Sequence, residues 1–242
     1  MKKLLFLGIF LIIFSSCDNE GDLIPKPQSS SINKILPLGA SRVEGARPEY
    51  ESFRYELWKK LKANNVVFDY IGTQTDESNY PQFNNMNFDF DHEGRGGWTS
   101  GDILDDLNNW LCLTGPADIV LFSSPAGNDA LEGLSFTQAI FNINSIIDII
   151  QQHNPNTTII IEQMAPARSD IMTSEFSEFQ ELLQQEVLSI ADIQTTSTSE
   201  VIAIDMYSGF NDSFLADDVH YNEDGAKFIA NRYFDLLMSL LE

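Results

Sequence analysis

Short β-rich runs alternate with amphipathic stretches along most of the chain, and this alternation constrains the fold more than any other feature. Several of the five runs are largely apolar, as strands covered on both faces should be; they span 34–38, 66–71, 117–122, 157–162 and 200–205. Between them, apolar residues recur every three or four positions, the spacing of one helix face. The clearest sets are Tyr50, Phe53, Leu57 and Leu61; Ile140, Ile143, Ile147 and Ile150; and Ile229, Tyr233, Leu236 and Leu240.

This pattern predicts right-handed crossovers and a parallel sheet between two helix layers. We expect residues 32–242 to form an α/β domain, a three-layer α/β/α sandwich with a five-stranded parallel sheet in flavodoxin-like order. A chain of 242 residues suits one such domain and a short tail. Open parallel sheets place their sites at the carboxyl ends of the strands. The long connection over residues 72–98 lies at one such end, so we expect it to be functional.

The N-terminus has the features of an export signal. Lys2 and Lys3 precede an apolar run over residues 4–14, and Ser15, Ser16 and Cys17 follow. Eleven apolar residues are too few to span a bilayer, which needs about 20. The pattern resembles a bacterial lipobox, which predicts a signal peptide over 1–16, lipidation of Cys17 and a flexible tether over 17–31. A plain secretory signal is the alternative.

The charge is strongly negative, since 36 acidic residues face 14 basic ones for a net charge of −22. Such a surface repels phosphate backbones and anionic headgroups, so nucleic-acid binding is not expected. The charge serves solubility or, alternatively, selects cationic substrates, and no segment localises such a face. Two cysteines are too few for a disulfide-rich scaffold or a cysteine-based metal site.

A serine, a histidine and an aspartate follow the first and last predicted strands. Ser41 lies in Gly39-Ala40-Ser41-Arg42, and His220 closes the motif Asp217-Asp218-Val219-His220. A serine hydroxyl becomes a good nucleophile when an imidazole takes its proton and a carboxylate orients that imidazole. Taken alone, Ser41 could merely cap a turn and His220 could be a solvated loop residue. Their shared edge of the sheet favours a catalytic triad of Ser41, His220 and Asp217.

Two further segments at this edge could donate hydrogen bonds to an oxyanion. Asn128 follows the central strand, in Ala126-Gly127-Asn128-Asp129, and its amide could be one donor. The bare backbone N–H of Gly97 could be another. Both segments also suit ordinary turns, so the combination carries the interpretation.

Ser41, Gly97, Asn128 and His220 match the four residues that give SGNH (GDSL) hydrolases their name. The chain resembles this superfamily over residues 34–241, and it looks most similar to the acetylxylan-esterase-like proteins of carbohydrate esterase family three. The resemblance rests on "ILPLGASRVEG", "FRYELWKKLKANNVVFDYIGT", "DHEGRGGWTSGDIL", "ADIVLFSSPAGNDAL" and "DDVHYNEDGAKFIANRYF". Two positions depart from the usual motifs: Ala40 stands where the family has aspartate before the nucleophile, and Ala126 stands where it has glycine.

The resemblance implies a serine esterase that works through an acyl-enzyme, without a metal or organic cofactor. Its oxyanion hole would comprise the N–H groups of Ser41 and Gly97 and the amide of Asn128. The implied substrate is a short-chain acyl ester, above all an O-acetyl ester, of a polysaccharide or oligosaccharide. Two alternatives remain open: a lipase, lysophospholipase or thioesterase of the same fold, and a catalytically weak glycan-binding lipoprotein. The lipobox implies an extracytoplasmic bacterial lipoprotein that meets the membrane through its lipid anchor only.

Overall fold

A computed structural model describes residues 28–76 and 78–241. Within these residues a central sheet is flanked by helices. The strands are β1 (Lys34–Gly39), β2 (Asp69–Tyr70), β3 (Gln74–Thr75), β4 (Asp91–Gly94), β5 (Ile119–Phe122), β6 (Thr158–Gln163) and β7 (Glu200–Asp205). The helices are α1 (Ser41–Glu44), α2 (Phe53–Ala63), α3 (Ser100–Thr114), α4 (Gly127–Leu131), α5 (Phe136–His153), α6 (Ser174–Gln194) and α7 (Glu223–Leu240), with a 3₁₀ turn at Asp212–Phe214.

The five predicted strands form the parallel core of the sheet, in the order β2-β1-β5-β6-β7. This is the predicted flavodoxin-like order, and the three-layer α/β class is confirmed. The strand count differs, because the long connection after β2 returns to the sheet as β3 and β4. Strand β4 pairs in parallel with the last two residues of β1, and β3 pairs antiparallel with β4. The described sheet therefore has seven strands rather than five.

Side chains of the central strands alternate between two cores, as the pleat of a strand requires. In β5, Val120 and Phe122 face the core that is covered by α3, α5 and α6. Ile119 and Leu121 face the core that is covered by α2 and α7. This burial on both faces explains why the run is apolar at every position.

The helix predicted to begin near Tyr50 begins later in the structure. Ser52 has extended backbone and its hydroxyl accepts a hydrogen bond from the Arg54 N–H, which makes it the N-cap of α2. Tyr50 therefore lies outside the helix, although its spacing from Phe53 and Leu57 fits a helix face. Tyr50 belongs instead to the connector of residues 45–52, between α1 and α2.

The carboxyl edge of the sheet gathers the segments that carry the predicted site. Strand β1 leads into α1, β4 into the turn at 95–99, β5 into α4, and β7 into the loop at 206–222. The predicted signal peptide over 1–16, Cys17 and most of the predicted tether lie outside the described residues. Within the described ranges, no helix has the length and apolarity needed to cross a membrane.

Candidate active site

Ser41 is the first residue of α1 and directly follows the turn at the end of β1. The preceding carbonyl, that of Ala40, accepts hydrogen bonds from the N–H groups of Val43 and Glu44, both at 3.0 Å. This short helix lies against β4, and a Cβ built on Gly94 would stand 2.3 Å from the Glu44 nitrogen. Only glycine allows the two backbones to approach so closely. The position of Ser41 is thus set by direct backbone packing.

The structure brings Ser41, His220 and Asp217 together in one hydrogen-bonded row. The Ser41 Oγ lies 2.9 Å from Nε2 of His220, and Nδ1 of the same ring lies 2.7 Å from Oδ2 of Asp217. Ser41 and His220 are 179 positions apart in the chain, so the sheet topology creates this contact. The arrangement can transfer a proton from the hydroxyl to the imidazole while the carboxylate fixes the ring's tautomer.

Asp217 also organises the loop that carries His220. Its Oδ1 accepts hydrogen bonds from the backbone N–H groups of Val219 at 2.9 Å and of His220 at 2.8 Å. Partial burial by itself raises the pKa of Asp217, but these backbone hydrogen bonds and the contact with the imidazole outweigh it. The pKa of Asp217 therefore lies below its usual value. A carboxylate that stays ionised is the form that can orient the imidazole.

The two predicted oxyanion donors lie beside each other near Ser41. Gly97 has a φ of 78°, and a Cβ built on it would meet no heavy atom within 4 Å, so space is open beside this residue. The turn lies close to the nucleophile, because a Cβ built on the preceding residue, Gly96, would stand 4.0 Å from Cβ of Ser41. The amide nitrogen of Asn128 donates a hydrogen bond to the Trp98 carbonyl at 2.7 Å. An asparagine amide has two N–H groups, so the second can serve an oxyanion.

Asp129 ties the Asn128 segment to the start of α3, an arrangement that the sequence reasoning missed. Its buried carboxylate accepts hydrogen bonds from the Ser100 backbone N–H at 2.8 Å and the Ser100 hydroxyl at 2.6 Å. Because α3 begins just after the Gly97 turn, this contact fixes both donor segments relative to one another. An acidic residue directly after the candidate donor asparagine was the available signal.

Arg42 is the second residue that sequence reasoning missed. Its guanidinium is buried and donates to three backbone carbonyl groups, those of Val219 at 2.8 Å, Ala165 at 2.7 Å and Pro166 at 3.0 Å. It also lies over the ring of Tyr221, 4.8 Å from the centroid. The residue after the nucleophile thus binds the β6 loop and the His220 loop to the Ser41 turn. A basic residue at this position, in a chain with few of them, was the signal.

A buried glutamate, Glu162, stabilises the ends of β5 and β6 next to the nucleophile turn. Glu162, near the end of β6, accepts hydrogen bonds from the Ser124 backbone N–H at 2.8 Å and from the Tyr233 hydroxyl at 2.7 Å. Burial raises the pKa of this carboxyl group. Ser124 in turn lies 3.3 Å from the Arg42 guanidinium. These contacts hold the ends of β5 and β6 against the nucleophile turn.

A small cavity of about 40 Å³ opens beside Ser41 and Asn128. Its wall away from these two residues is largely apolar and comes from α4, the loop after β6, α6 and the His220 loop; it includes Leu131, Met164, Ala165, Ala167, Phe176 and Val219. A water-sized group occupies about 10–15 Å³ by this kind of measure. The cavity can therefore hold about three such groups next to the nucleophile.

The described residues contain no group of three or more histidine, cysteine, aspartate or glutamate side chains that could hold a metal ion. His92 and Glu93 are an adjacent histidine and carboxylate, and each contacts other protein groups. The Nδ1 of His92 accepts a hydrogen bond from the Gly94 N–H at 2.9 Å, and Glu93 pairs with Arg95 at 3.0 Å.

Comparisons with known proteins give the same picture of the fold. No protein-family model matches the chain, and no curated protein sequence matches it. A carbohydrate esterase family 3 structure from Talaromyces cellulolyticus is 26% identical with a TM-score of 0.74, and covers 87% of this chain and 98% of its own. A mutant acetyl esterase with acetate ion is 25% identical with a TM-score of 0.75, over 87% and 98% of the two chains.

A family 3 carbohydrate esterase from Clostridium thermocellum is 25% identical with a TM-score of 0.66, over 86% of this chain and 98% of that one. Other similar structures, which are 15–17% identical, are named as a lipolytic protein of the G-D-S-L family, a lipase/acylhydrolase and a GDSL-like lipase. The neighbours are thus esterases and acylhydrolases, which supports a hydrolase at the level of the family. The chain is related to the SGNH hydrolases, and among the structures it resembles are those of carbohydrate esterase family 3.

Proposed function

We propose that the protein is a carboxylic ester hydrolase in which Ser41 is the nucleophile, His220 the general base and Asp217 the residue that orients the imidazole. The observation that carries this proposal is the hydrogen-bonded row from the Ser41 hydroxyl through His220 to Asp217, with distances of 2.9 and 2.7 Å. A Ser–His pair at this separation is within reach for proton transfer. The row stands at the carboxyl edge of the sheet, where α/β proteins bind ligands.

The reaction has two halves. In the first, Nε2 of His220 takes the proton of the Ser41 hydroxyl while Oγ attacks the ester carbonyl carbon. The resulting imidazolium then protonates the leaving alcohol, and the acyl group remains on Ser41. In the second half, His220 deprotonates a water that attacks the acyl-enzyme, and the carboxylic acid leaves as Ser41 regains its proton.

The negative charge that develops on the carbonyl oxygen needs fixed donors. Ser41 is the first residue of α1, so its N–H has no partner within the helix. That N–H, the N–H of Gly97 and the second amide N–H of Asn128 would form the oxyanion hole. The hydrogen bond between Asn128 and Trp98 supports this assignment, since it keeps the amide beside the Gly97 turn before substrate arrives.

The cavity beside Ser41 supports a short acyl group. Its volume of about 40 Å³ fits an acetyl group beside the nucleophile. The similar structures named as a carbohydrate esterase and as an acetyl esterase suggest a carbohydrate as the alcohol part. We therefore infer that the substrate is an O-acetylated polysaccharide or oligosaccharide. A long acyl chain would have to extend out of this cavity, so the acyl-length series below separates an acetyl esterase from a lipase.

Substrate preference is tested with p-nitrophenyl esters of increasing acyl length and a panel of acetylated polysaccharides. We expect hydrolysis of the acetate ester, a steep fall beyond four carbons and acetate release from at least one polysaccharide. The Ser41→Ala variant serves as the control for each substrate. A preference for long acyl chains would favour the lipase alternative. Glycan binding without any Ser41-dependent hydrolysis would favour a binding lipoprotein instead.

We also propose that the protein is an extracytoplasmic lipoprotein anchored through Cys17. The support is sequence alone: a basic end, eleven apolar residues and two serines precede the cysteine. Membrane fractionation of the full-length precursor and of its Cys17→Ala variant tests this. We expect the wild type in the membrane fraction and the variant in the soluble exported fraction. Equal membrane retention of both would contradict the anchor.

A further inference from the structure

The ring of Tyr50 lies flat on the imidazole of His220. The two ring centroids are 3.8 Å apart and the rings are inclined by 13°. The two nitrogens of His220 form their hydrogen bonds to Ser41 and Asp217 in the plane of the ring. Such in-plane bonds leave the imidazole free to tilt about the line that joins its partners. Contact with one face of the ring opposes that tilt.

Backbone contacts hold Tyr50 in place independently of this stack. Within the 45–52 connector, the N–H of Tyr50 donates to the Ala46 carbonyl at 3.3 Å and its own carbonyl accepts from the Ala46 N–H at 3.2 Å. The next residue, Glu51, donates its N–H to the carbonyl of Tyr221 at 2.8 Å. The connector is therefore attached to the chain immediately after His220. Tyr50 arrives over the imidazole with its backbone already fixed.

Packing in the cores does not account for this placement. Tyr50 is partly exposed and lies outside both hydrophobic cores described above, and the helix that its spacing suggested begins only at Phe53. Burial, together with the charges of Glu44, Asp217 and Glu49, raises the pKa of its phenol. The side chain thus stays a neutral aromatic ring at any pH at which an esterase would be assayed.

We propose that Tyr50 is a positioning residue that aligns His220 for proton transfer and stabilises its protonated form during the reaction. This inference rests on the proposed role of His220 as the general base. An aromatic face attracts a cation more than a neutral ring, and the imidazole carries positive charge only in the intermediate and its flanking transition states. The stack thus strengthens as the reaction proceeds, and interactions of that kind raise kcat.

The test compares Tyr50→Phe, which keeps the ring, with Tyr50→Leu, which removes it, in the full chain and with p-nitrophenyl acetate. We expect Tyr50→Phe to keep kcat within about twofold and Tyr50→Leu to lower it about 10- to 30-fold, with KM changed by less than about threefold. Tyr207→Leu is the matched control, since Tyr207 is an exposed tyrosine beyond β7 that lines a different cleft; its kcat should not change.

A second readout does not depend on ester hydrolysis. Proton NMR detects the Nδ1–H of His220 as a strongly downfield signal when its hydrogen bond to Asp217 is ordered. We expect this signal in the wild type and in Tyr50→Phe, and its broadening or loss in Tyr50→Leu, with thermal unfolding showing that the variant is folded. If the wild type hydrolyses no ester, the proposed function fails, and the signal still decides whether Tyr50 holds the imidazole.

Three outcomes would overturn the inference. The first is a Tyr50→Leu variant with wild-type kcat and an intact Nδ1–H signal. The second is an equal loss in Tyr50→Phe and Tyr50→Leu, which would assign the effect to the phenol hydroxyl rather than to the ring face. The third is a Tyr50→Leu variant whose KM rises while kcat stays constant, which would make Tyr50 a substrate contact.

Discussion

The nucleophile turn and the His220 loop bring their catalytic groups to the same point by different physical means. Ser41 is held from within the protein: Leu38 and Val43 on either side of it are fully buried, and α1 packs directly on the backbone of β4. The His220 loop lies at the surface, where the side chain of Asp217 is 50% exposed and that of His220 is 20% exposed. Packing in the core positions Ser41, whereas hydrogen bonds and ring contacts at the surface position His220.

This difference indicates where the site is vulnerable. The His220 loop depends on the two backbone N–H bonds to Asp217, on the Arg42 guanidinium that binds the Val219 carbonyl, and on the Tyr50 ring. Apart from the buried Arg42 guanidinium, these contacts lie in a partly exposed region of the surface. Variants of the loop should therefore affect catalysis more than stability, whereas variants around the nucleophile should affect both.

The largest effect is expected at Ser41 and His220 themselves, where the buried turn and the exposed loop should be equally sensitive because the two groups exchange one proton. Ser41→Ala and His220→Ala should each lower kcat by about 10⁴- to 10⁶-fold, and the double variant should lose little more, because the two groups act as one unit. Burst and steady-state kinetics on p-nitrophenyl acetate measure these losses. Full additivity of the two single losses would argue against direct cooperation.

Asp217→Ala should cost about 10³- to 10⁴-fold in kcat, less than the loss of either neighbour, since water or Tyr50 can still orient part of the imidazole population. Asp217→Asn is the matched variant that keeps an oxygen for the loop N–H groups. Its amide N–H₂ can also donate to Nδ1 and hold the imidazole in the tautomer that cannot take the Ser41 proton, so Asp217→Asn should be no more active than Asp217→Ala. If the loop role of Asp217 matters, Asp217→Asn should be more stable to urea than Asp217→Ala, and equal urea midpoints would confine its role to orienting the ring.

The Asp217 pKa also predicts a pH dependence of stability. The folded protein lowers the pKa of this carboxyl group, so its contribution to stability is present above the unfolded value of about 3.8 and is lost as pH falls through the folded value. The difference in the free energy of unfolding between the wild type and Asp217→Asn should therefore be larger at pH 6 than at pH 3. Urea denaturation at several pH values measures it, and a constant difference would exclude the effect.

Arg42 links the two regions, because it belongs to the buried nucleophile turn and binds a carbonyl group of the exposed His220 loop. Arg42→Met should lower kcat about 30-fold and the free energy of unfolding by about 3 kcal/mol, since three carbonyl groups lose a charged donor. The control is Arg168→Met, because Arg168 pairs with Asp170 and Asp218 at the surface, where such pairs contribute little. Similar effects of the two substitutions on kcat and urea midpoint would contradict the role of Arg42.

The smallest effect concerns Ala40, which occupies the N-cap position of α1 without a side-chain hydrogen bond to the helix. Aspartate at an N-cap accepts hydrogen bonds from the first turn and contributes about 1 kcal/mol. Ala40→Asp should therefore raise the melting temperature and increase kcat by up to about tenfold through a better ordered Ser41 N–H. A large loss of both quantities would show that the turn has been repacked around alanine, which would refute a weakened oxyanion turn.

The sequence predicted the class, the order of the five central strands and the segments that meet at the site, because these depend on burial patterns and on topology. It missed β3 and β4, which span only two and four residues. Apolar periodicity is too short to detect in such strands, and their pairing depends on where β1 ends. The site residues Ser41, His220 and Asp217 lie together as expected, and their catalytic roles remain predictions.

Tyr50 and Arg42 show why the rest could not be predicted. The spacing of Tyr50 from Phe53 and Leu57 fits a helix face, and only the capping of α2 by Ser52 removes it from the helix. The partners of Arg42 are backbone carbonyl groups of loops that lie more than a hundred positions away. Backbone acceptors are the same for every residue type, so no sequence pattern marks them.

The 45–52 connector has a consequence for protein engineering. This connector follows α1 and carries Tyr50, whose ring covers His220. Its Glu51 N–H donates a hydrogen bond to the carbonyl of Tyr221, the residue after His220. An exchange of this loop between homologous scaffolds would therefore alter the base as well as the nucleophile. Residues 39–52 would have to be exchanged together with 217–221 and with the loop at 165–166 that Arg42 binds.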